Sequence, residues 1–408
     1  HEDVMKWAEE YDGPKFHAMI TDCPYEYNMM GKSWDNTGIS FNSTSWGGLL
    51  KHLRPGAFIM SFAGARTPHR IATAIEDAGF IIHPHIYAWI YGSGLMKSTR
   101  IDTQIDKRAG AEREIIGQTK STYGYQKSGL RWKKPHYITK AATPLARAWE
   151  GHRYSLQVLR PALEPIIFAQ KPYSEGSTLD SIIDTGAGAV WVDGSRYSDI
   201  NRWPTNFIIV CTCDPTRDYD EHDDDCPVTR CGEQAEYFQH VDFSYDTFEF
   251  LNDGVEYCSK AAKIERDKGV NFYWRKDATK LGGYEIITAD EWEQLPPEER
   301  AKGNIHTTVK PLGLTKWMAK LLLPPGLYAP RRILVPFAGV MSEAIGAMLA
   351  GWDHITAVEI KKEHALVGSE RMSWWQAARL EMGETDPREI IKLDKGIRYK
   401  QLSLEVQE

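Results

Sequence analysis

The segment from Arg332 to Glu359 constrains the fold most. Arg332-Ile333-Leu334-Val335 is a short apolar run, Pro336-Phe337-Ala338-Gly339 a tight turn, Ser342 the start of a helix ending at Gly351, and Ile355-Thr356-Ala357-Val358 a second apolar run closed by Glu359. Short apolar runs bounded by turn residues read as buried strands, and a helix between two of them makes a β-α-β unit of a parallel sheet. A small turn lets backbone approach a ligand at the helix N-terminus, and an acid ending the next strand suits ribose hydroxyls, the general design of a nucleoside-cofactor pocket. An ordinary β-α-β unit with an incidental Glu359 has the same pattern, so the rest of the chain has to decide.

Near the other end, the apolar run Phe16 to Ile20 stops at Thr21-Asp22-Cys23-Pro24-Tyr25. Ligands of open α/β sheets sit beyond the carboxyl ends of the strands. Asp22, Pro24 and Tyr25 offer there a hydrogen-bond-accepting carboxylate, a fixed backbone and a flat π-face, a kit for gripping a planar base with an exocyclic amine. Taken alone, the tetrapeptide also reads as a plain strand exit. A loop rich in Gly, Ser, Asn and Trp, from Gly31 to Gly48, follows it. Leu49 to Leu53 predicts a short helix stopped by Pro55-Gly56, and Ala57 to Phe62 a second strand. Thr67-Pro68 opens a helix with Ile71, Ala74, Ile75 and Ala78 on its apolar face and Gly79 at its end. Ile81 to Tyr91 predicts a third strand, Glu164 to Pro172 a buried strand leading into a loop, and Val255 to Cys258 another, followed by a helix from Lys260 to Arg266. Asn271 to Asn304 is polar and reads as peripheral. His306-Thr307-Thr308-Val309-Lys310-Pro311 opens a helix with Leu312, Leu314, Trp317, Met318, Leu321 and Leu322 on its packed face, stopped by Pro324-Pro325-Gly326.

A chain of 408 residues, 42% of them hydrophobic, is long enough for a large core. Its net charge of −7 argues against a nucleic-acid partner until its distribution is read. Lys97 to Arg160 holds fourteen basic and five acidic residues, a surplus of nine positive charges that leaves the remainder at −16. Tyr123, Tyr125, Trp132, Tyr137, Trp149 and Tyr154 are interleaved with those basic residues. Basic groups neutralise phosphates and aromatics stack on unpaired bases; an insertion packing its aromatics into a small core of its own is the alternative. Six cysteines in so long a chain point to a reducing cytoplasm rather than a disulfide scaffold, and no apolar run is long enough to span a bilayer. Cys211, Cys213, Cys226 and Cys231, spaced C-x-C-x12-C-x4-C with His222 between, suit a tetrahedral structural zinc; free cysteines in an acidic loop are the other reading. The first residue is His1 rather than Met, so the start of the natural chain is expected to be missing.

Taken together, these motifs resemble the DNA amino-methyltransferases that act on adenine N6 or cytosine N4, over roughly Phe16 to Trp375. The family's D/S-P-P-Y stands here as Asp22-Cys23-Pro24-Tyr25. Its D-P-F-x-G-S-G-T is matched by Val335-Pro336-Phe337-Ala338-Gly339-Val340-Met341-Ser342, and its H-P-T-x-K-P by His306 to Pro311. Segments Pro165 to Lys171, Arg202 to Asn206 and Tyr257 to Arg266 look like those of bacterial and phage members. The catalytic motif precedes the cofactor motif, which is similar to the circularly permuted β group. Cys23 departs from the motif at its first proline, Val335 at its acid and Met341 at its second glycine.

The resemblance implies an α/β fold: a Rossmann-like S-adenosyl-L-methionine-dependent methyltransferase sheet with a target-recognition insertion. It divides the chain into a catalytic half (1–98), a target-recognition region with interspersed core strands (99–303), a cofactor half (304–385) and a C-terminal tail (386–408). It implies transfer of a methyl group to N6 of adenine in double-stranded DNA, after the base is flipped out, in a bacterial cell or a phage-infected host, by a protein often dimeric in this group. Asp22, Pro24 and Tyr25 would be catalytic. Asp22, Thr308, Lys310, Pro311, Phe337, Gly339, Ser342 and Glu359 would bind the cofactor, with Thr308 and Lys310 on its carboxylate and Glu359 on its ribose. Arg131, Trp132, Lys133 and Lys134 are candidate DNA contacts. Asp at the first motif position favours adenine, since cytosine-N4 enzymes often carry Ser. Cytosine-N4 methylation, an inactive DNA-binding relative, and methylation of RNA or of a protein glutamine are the alternatives. Cytosine-C5 chemistry is rejected because Cys23 precedes its proline.

Overall fold

The computed structural model describes residues 1–28, 35–84, 86–90, 97–125, 131–159, 163–196, 203–210, 239–241, 263–277, 283–306 and 309–393. Strands β1 (Phe16–Thr21), β2 (Leu53–Phe62), β3 (Ile81–Ile82) and β4 (Tyr87–Ile90) come first. The basic segment contributes β5 (Lys97–Arg100), β6 (Ile115–Tyr125), β7 (Arg131–Thr139) and β8 (Arg153–Gln157). Then follow β9 (Leu163–Gln170), β10 (Phe207–Val210), β11 (Gln239–Val241), β12 (Tyr273–Asp277), β13 (Gly283–Ile287), β14 (Arg300–Lys302), β15 (Arg332–Pro336) and β16 (His354–Val358).

Among the described residues, one sheet runs β11-β10-β4-β9-β2-β1-β15-β16, with β3 also on β9. Its β1–β2, β1–β15, β15–β16, β4–β10 and β10–β11 pairs are parallel. The expected β-α-β unit is β15, the helix Ser342–Ala350 and β16, in register from Arg332 opposite His354 to Pro336 opposite Val358. This is a Rossmann-like α/β sheet, but mixed rather than all-parallel: β9 runs antiparallel to β2, β3 and β4. The cause is topological. The chain leaves the sheet after Ile90 and re-enters at Leu163, and these two residues are paired across one rung. A strand re-entering beside the point of exit must run backwards.

Residues of one strand alternate between faces, and the core is accordingly split in two. In β2, Phe58, Met60 and Phe62 join Ile20, Trp89, Phe168, Leu314, Trp317 and Trp352 on one face. Ala57 and Ile59 join Phe16, Met19, Trp46, Leu49, Ile71, Ile75 and Leu334 on the other. Each large apolar side chain buried this way stabilises by ~1.5–3 kcal/mol, more than the ~1 kcal/mol net of one hydrogen bond. Packing of both faces therefore fixes where the strand ends lie.

Three local expectations change. The helix placed at Leu49–Leu53 lies earlier, at Ser43–Leu50, because the Asn42 side chain accepts the Thr44 N–H and caps it there. Pro55-Gly56 then lies inside β2 rather than stopping a helix; Gly56 takes φ +80°, a conformation glycine adopts without a Cβ clash. The single strand Ile81–Tyr91 is two, β3 and β4, split around Pro84, which has no N–H to give a ladder. Residues 271–304, read as peripheral, hold an antiparallel sheet β13-β12-β14, and Trp274 on β12 is fully buried with Val309, Val340 and Val367 beside the cofactor-type turn.

The basic segment has its own framework. β5 pairs with β8, and β6 with β7 in a long hairpin. Arg113 joins Asp102 at 2.8 Å and Asp106 at 2.5 Å, both carboxylates on the helix Ile101–Ala109 and fully buried. Asp106 also accepts the N–H groups of Ala142 and Thr143. Against the desolvation of its buried position, these partners and the Thr143 hydroxyl hold its carboxyl down at about 2. This base is held by ion pairs and hydrogen bonds; Tyr137, Trp149 and Tyr154, which the alternative placed in a small core, are exposed. Arg131, Trp132, Lys133 and Lys134 fall on β7. The cysteines Cys211, Cys213, Cys226 and Cys231, with His222, lie outside the described residues, as do the expected strand Val255–Cys258 and Thr308. No helix among the described residues is long and apolar enough to cross a membrane.

Candidate active site

β1 ends where the tetrapeptide begins, and β15 lies beside it. The Thr21 hydroxyl donates to the Pro336 carbonyl at 2.8 Å, which ties the exit of β1 to that of β15. Pairing of Ala18 with Ile333 and Met19 with Leu334 sets the register. Two motifs more than three hundred positions apart are thereby carried to one rim of the sheet.

Cys23 turns inward, 2% exposed, with its thiol beside the Ser61 hydroxyl at 3.6 Å. Burial pushes that thiol up to about 12, so it is no nucleophile at neutral pH. Behind the tetrapeptide the chain is pinned. The Glu26 carboxylate accepts the N–H groups of Thr37 (2.7 Å) and Gly38 (2.8 Å), and Asp35 accepts that of Glu26 at 3.0 Å. The part of the long loop within the described residues is thus tied to the site.

Lys310 is the centre of the polar cluster. Its ammonium, 4% exposed, donates to Asp22 Oδ2 at 2.6 Å and to the Tyr25 hydroxyl at 3.1 Å, and lies 3.1 Å from Glu164 Oε1. It also sits 4.6 Å from the Phe62 ring centre and 5.3 Å from that of Tyr25. An ammonium has three N–H groups, and these three oxygens take all of them. The Tyr25 hydroxyl itself donates to Glu164. Desolvation, with the Asp22 carboxylate beside it, raises the Tyr25 phenol well above its usual value, so the ring stays neutral. The sequence suggested Lys310 for a cofactor carboxylate; its hydrogen bonds go instead to the tetrapeptide and to Glu164.

Glu164 was not singled out as a site residue. It opens the buried run of β9, and an acid leading the apolar run Pro165–Ala169 is a signal available in the sequence. Because β9 is antiparallel, its amino end lies at the rim where the parallel strands end, which brings Glu164 to Asp22.

Past the end of β15, Phe337, Gly339 and Met341 take φ of +56°, +51° and +64°. The turn is closed by the Ala338 N–H on Val358 O at 2.9 Å and the Met341 N–H on Ala338 O at 2.7 Å. Glu359 crosses to it: Oε2 accepts the Gly339 N–H at 2.8 Å, and Oε1 accepts the Lys361 N–H at 2.8 Å. A Cβ on Gly339 would come within 3.3 Å of His306 Nε2. This is a close-approach turn at a helix N-terminus with an acid beside it, as the sequence pattern predicts. Val335 is wholly buried with Ala338 and Ala344. Met341 lies in the left-handed region, where glycine is the usual residue, and its side chain packs on the same cluster and on Gly368 of the helix Lys362–Met382. Ser342 and Pro311 are buried, and the Ser342 hydroxyl receives Arg371 Nη1 at 3.2 Å.

Beneath the turn lies a second group that the sequence did not reveal. Arg371 donates to Val340 O at 2.5 Å, and Glu265 accepts the N–H of Leu312, the first residue of the helix behind Lys310. Burial pushes Glu265 up to about 8 and Arg371 down to about 10. Among the described residues, no cluster of His, Cys, Asp and Glu has the arrangement of a metal site.

In sequence the chain is similar to the Type II methyltransferase M.HindIII of Haemophilus influenzae, with 27% identity over 173 residues. The match covers 42% of this chain and 41% of that relative, so it spans less than half of either. No protein-family model matches the chain. Among solved structures, M1.HpyAVI aligns with 91% of this chain and 96% of its own at a TM-score of 0.38 and 10% identity. The DNA modification methylase TTHA0409 of Thermus thermophilus aligns with 91% and 92% at a TM-score of 0.38 and 12% identity. The cytosine-N4-specific PvuII DNA methyltransferase aligns with 94% and 92% at a TM-score of 0.40 and 10% identity.

Proposed function

We propose that the chain is a DNA amino-methyltransferase that takes its methyl group from S-adenosyl-L-methionine and places it on N6 of adenine. The observation that carries the reading is the meeting of Asp22 and Tyr25 with the turn Pro336–Gly339 at one rim, joined by the Thr21–Pro336 hydrogen bond. The sequence similarity to a Type II methyltransferase supports the general activity.

The bound cofactor supplies an electrophilic methyl sulfonium. An exocyclic base amine is a poor nucleophile because its lone pair is delocalised into the ring. Asp22 and a backbone carbonyl of the tetrapeptide accept its N–H bonds, localise the lone pair and offset the positive charge growing on nitrogen. Tyr25 stacks on the base once it is flipped out of the duplex. Glu164 and Lys310 orient Asp22 and Tyr25 before substrate arrives, which is the positioning part of the rate. The backbone of Phe337 and Gly339 and the carboxylate of Glu359 serve the nucleoside end of the cofactor. Residues 99–303, with core strands such as β9 interspersed, are the target-recognition region, and the basic hairpin β6–β7, which carries Arg131, Trp132, Lys133 and Lys134, is its DNA-contacting part. Residues 1–98 and 304–385 are the catalytic and cofactor halves, and 386–408 a tail. Adenine is favoured by Asp rather than Ser at position 22.

Tritiated-methyl transfer offered in parallel to duplex DNA, RNA and protein tests this. Label is expected in DNA, as N6-methyladenine on hydrolysis; N4-methylcytosine would reverse the base assignment, and label in RNA or protein alone would overturn the reading. Asp22→Ala should lower the rate at least about 100-fold while the protein still binds the cofactor.

A further inference from the structure

Glu343 stands in the first turn of the nine-residue helix Ser342–Ala350, directly after the turn. It is 3% exposed, and its Oε1 has no hydrogen-bond partner. An unmet buried carboxylate oxygen is costly, and one in a folded protein asks for an explanation. Its surroundings supply one. Asp22, Lys310 and Arg371 all act on its charge, and Tyr25 in turn responds to Glu343, so the carboxyl group is within electrostatic reach of the Asp22–Lys310–Tyr25 cluster. Lys310 is engaged with Asp22, Tyr25 and Glu164, and Arg371 donates through Nη1 to Val340 O and Ser342 Oγ, while its Nε and Nη2 are buried without a hydrogen-bond partner among the described residues and form no ion pair with Glu343. A buried carboxyl with an unmet oxygen, directly after the turn that carries Gly339, is a place for a cationic hydrogen-bond donor.

We propose that Glu343 receives the primary ammonium of the amino-acid end of S-adenosyl-L-methionine. The inference rests on the methyltransferase reading above. Val335 is sealed in the apolar cluster under the turn, and any acid there would face Ala338 and Ala344. Glu343 follows the same turn in the first turn of the helix and feels the Asp22 charge. Burial, with the Asp22 charge second, holds its carboxyl at about 7 before a ligand arrives; an incoming ammonium favours the ionised form.

Isothermal titration of the full chain and of Glu343→Gln with two probes tests the assignment. S-adenosyl-L-homocysteine carries the ammonium; 5′-methylthioadenosine lacks the amino-acid end but keeps the nucleoside. Loss of a charged hydrogen bond should weaken homocysteine-probe binding about 10- to 100-fold, while the nucleoside probe, which also reports an intact fold, changes by less than about twofold. Equal weakening of both probes, or of neither, overturns the role of Glu343 and leaves the methyltransferase reading standing. Wild-type protein that binds neither probe, alone or with DNA, overturns both. A second readout is the heat in two buffers of different ionisation enthalpy at pH 7: proton release on homocysteine-probe binding by the wild type should be lost in Glu343→Gln, and its persistence there counts against the assignment.

Discussion

At the scale of single residues, the site is a set of carboxylates arranged around one buried ammonium. Charge-assisted hydrogen bonds in a dry environment are directional and strong, so Lys310 holds Asp22, Tyr25 and Glu164 as one unit. Removing one charge while keeping shape tests this. Glu164→Gln should lower kcat about 10- to 100-fold, the value of a charged hydrogen bond, and leave the cofactor KM unchanged, because Glu164 is joined to Lys310 and Tyr25 of the base-side cluster. A parallel rise in cofactor KM would mean that it serves the cofactor instead. Asp22, Pro24, Tyr25 and Glu359 were legible in the sequence because each closes a strand, where a polar residue interrupts an apolar run. Glu164 opens a strand, and its relevance depends on that strand running backwards, which no local pattern encodes. Glu343, Glu265 and Arg371 are charges within helical stretches, and from sequence such residues read as solvated faces; their burial follows from tertiary packing.

At the scale of elements, the turn between β15 and its helix carries most of the backbone constraint. Phe337, Gly339 and Met341 alternate through the left-handed region. Gly339→Ala places a Cβ at φ +51° and within 3.3 Å of His306 Nε2; a thermal melt should show a loss of about 1–2 kcal/mol. Met341 is different, since its side chain packs against Gly368 and the Val335 cluster. Met341→Gly should leave cofactor affinity essentially unchanged in titration, and a large change would show that the thioether reaches the ligand. The β-α-β unit was legible because its turn, caps and strand lengths agree with one another. The break between β3 and β4 was visible only as Pro84, and the sheet β13-β12-β14 was hidden by a polar surface around Trp274, whose burial comes from residues far along the chain.

The whole molecule answers to pH and salt through charges it has buried or gathered. Glu265 sits at about 8 in the fold, against 4.5 as its ordinary value. Between those values the folded chain holds a proton that the unfolded chain has lost, so this group's contribution to stability falls as pH rises from 4.5 to 8. Glu343, at about 7, acts in the same sense over a shorter range. Glu265→Gln should flatten the decline of Tm between pH 6.5 and 8, and an unchanged slope would show that Glu265 is ionised in the fold. The surplus of nine positive charges in Lys97 to Arg160 belongs to this scale as well. DNA affinity should fall steeply with salt, linearly on logarithmic axes, and replacing Lys133 and Lys134 with Gln should reduce that slope by about one to two. An unchanged slope would move the phosphate contacts off β7.

The rung that joins Ile90 to Leu163 has a consequence for how such a chain diversifies. The whole basic segment departs and returns across a single pair of neighbouring backbone positions, and Arg113 and Asp106 clamp its base from within. A piece attached by two adjacent points can be exchanged for another of different length without moving any strand of the core. The chain is organised like a tool with a fixed handle and a replaceable head: under the proposed function, reading specificity would change by substitution of the head, while the cluster at Asp22 would be inherited unchanged.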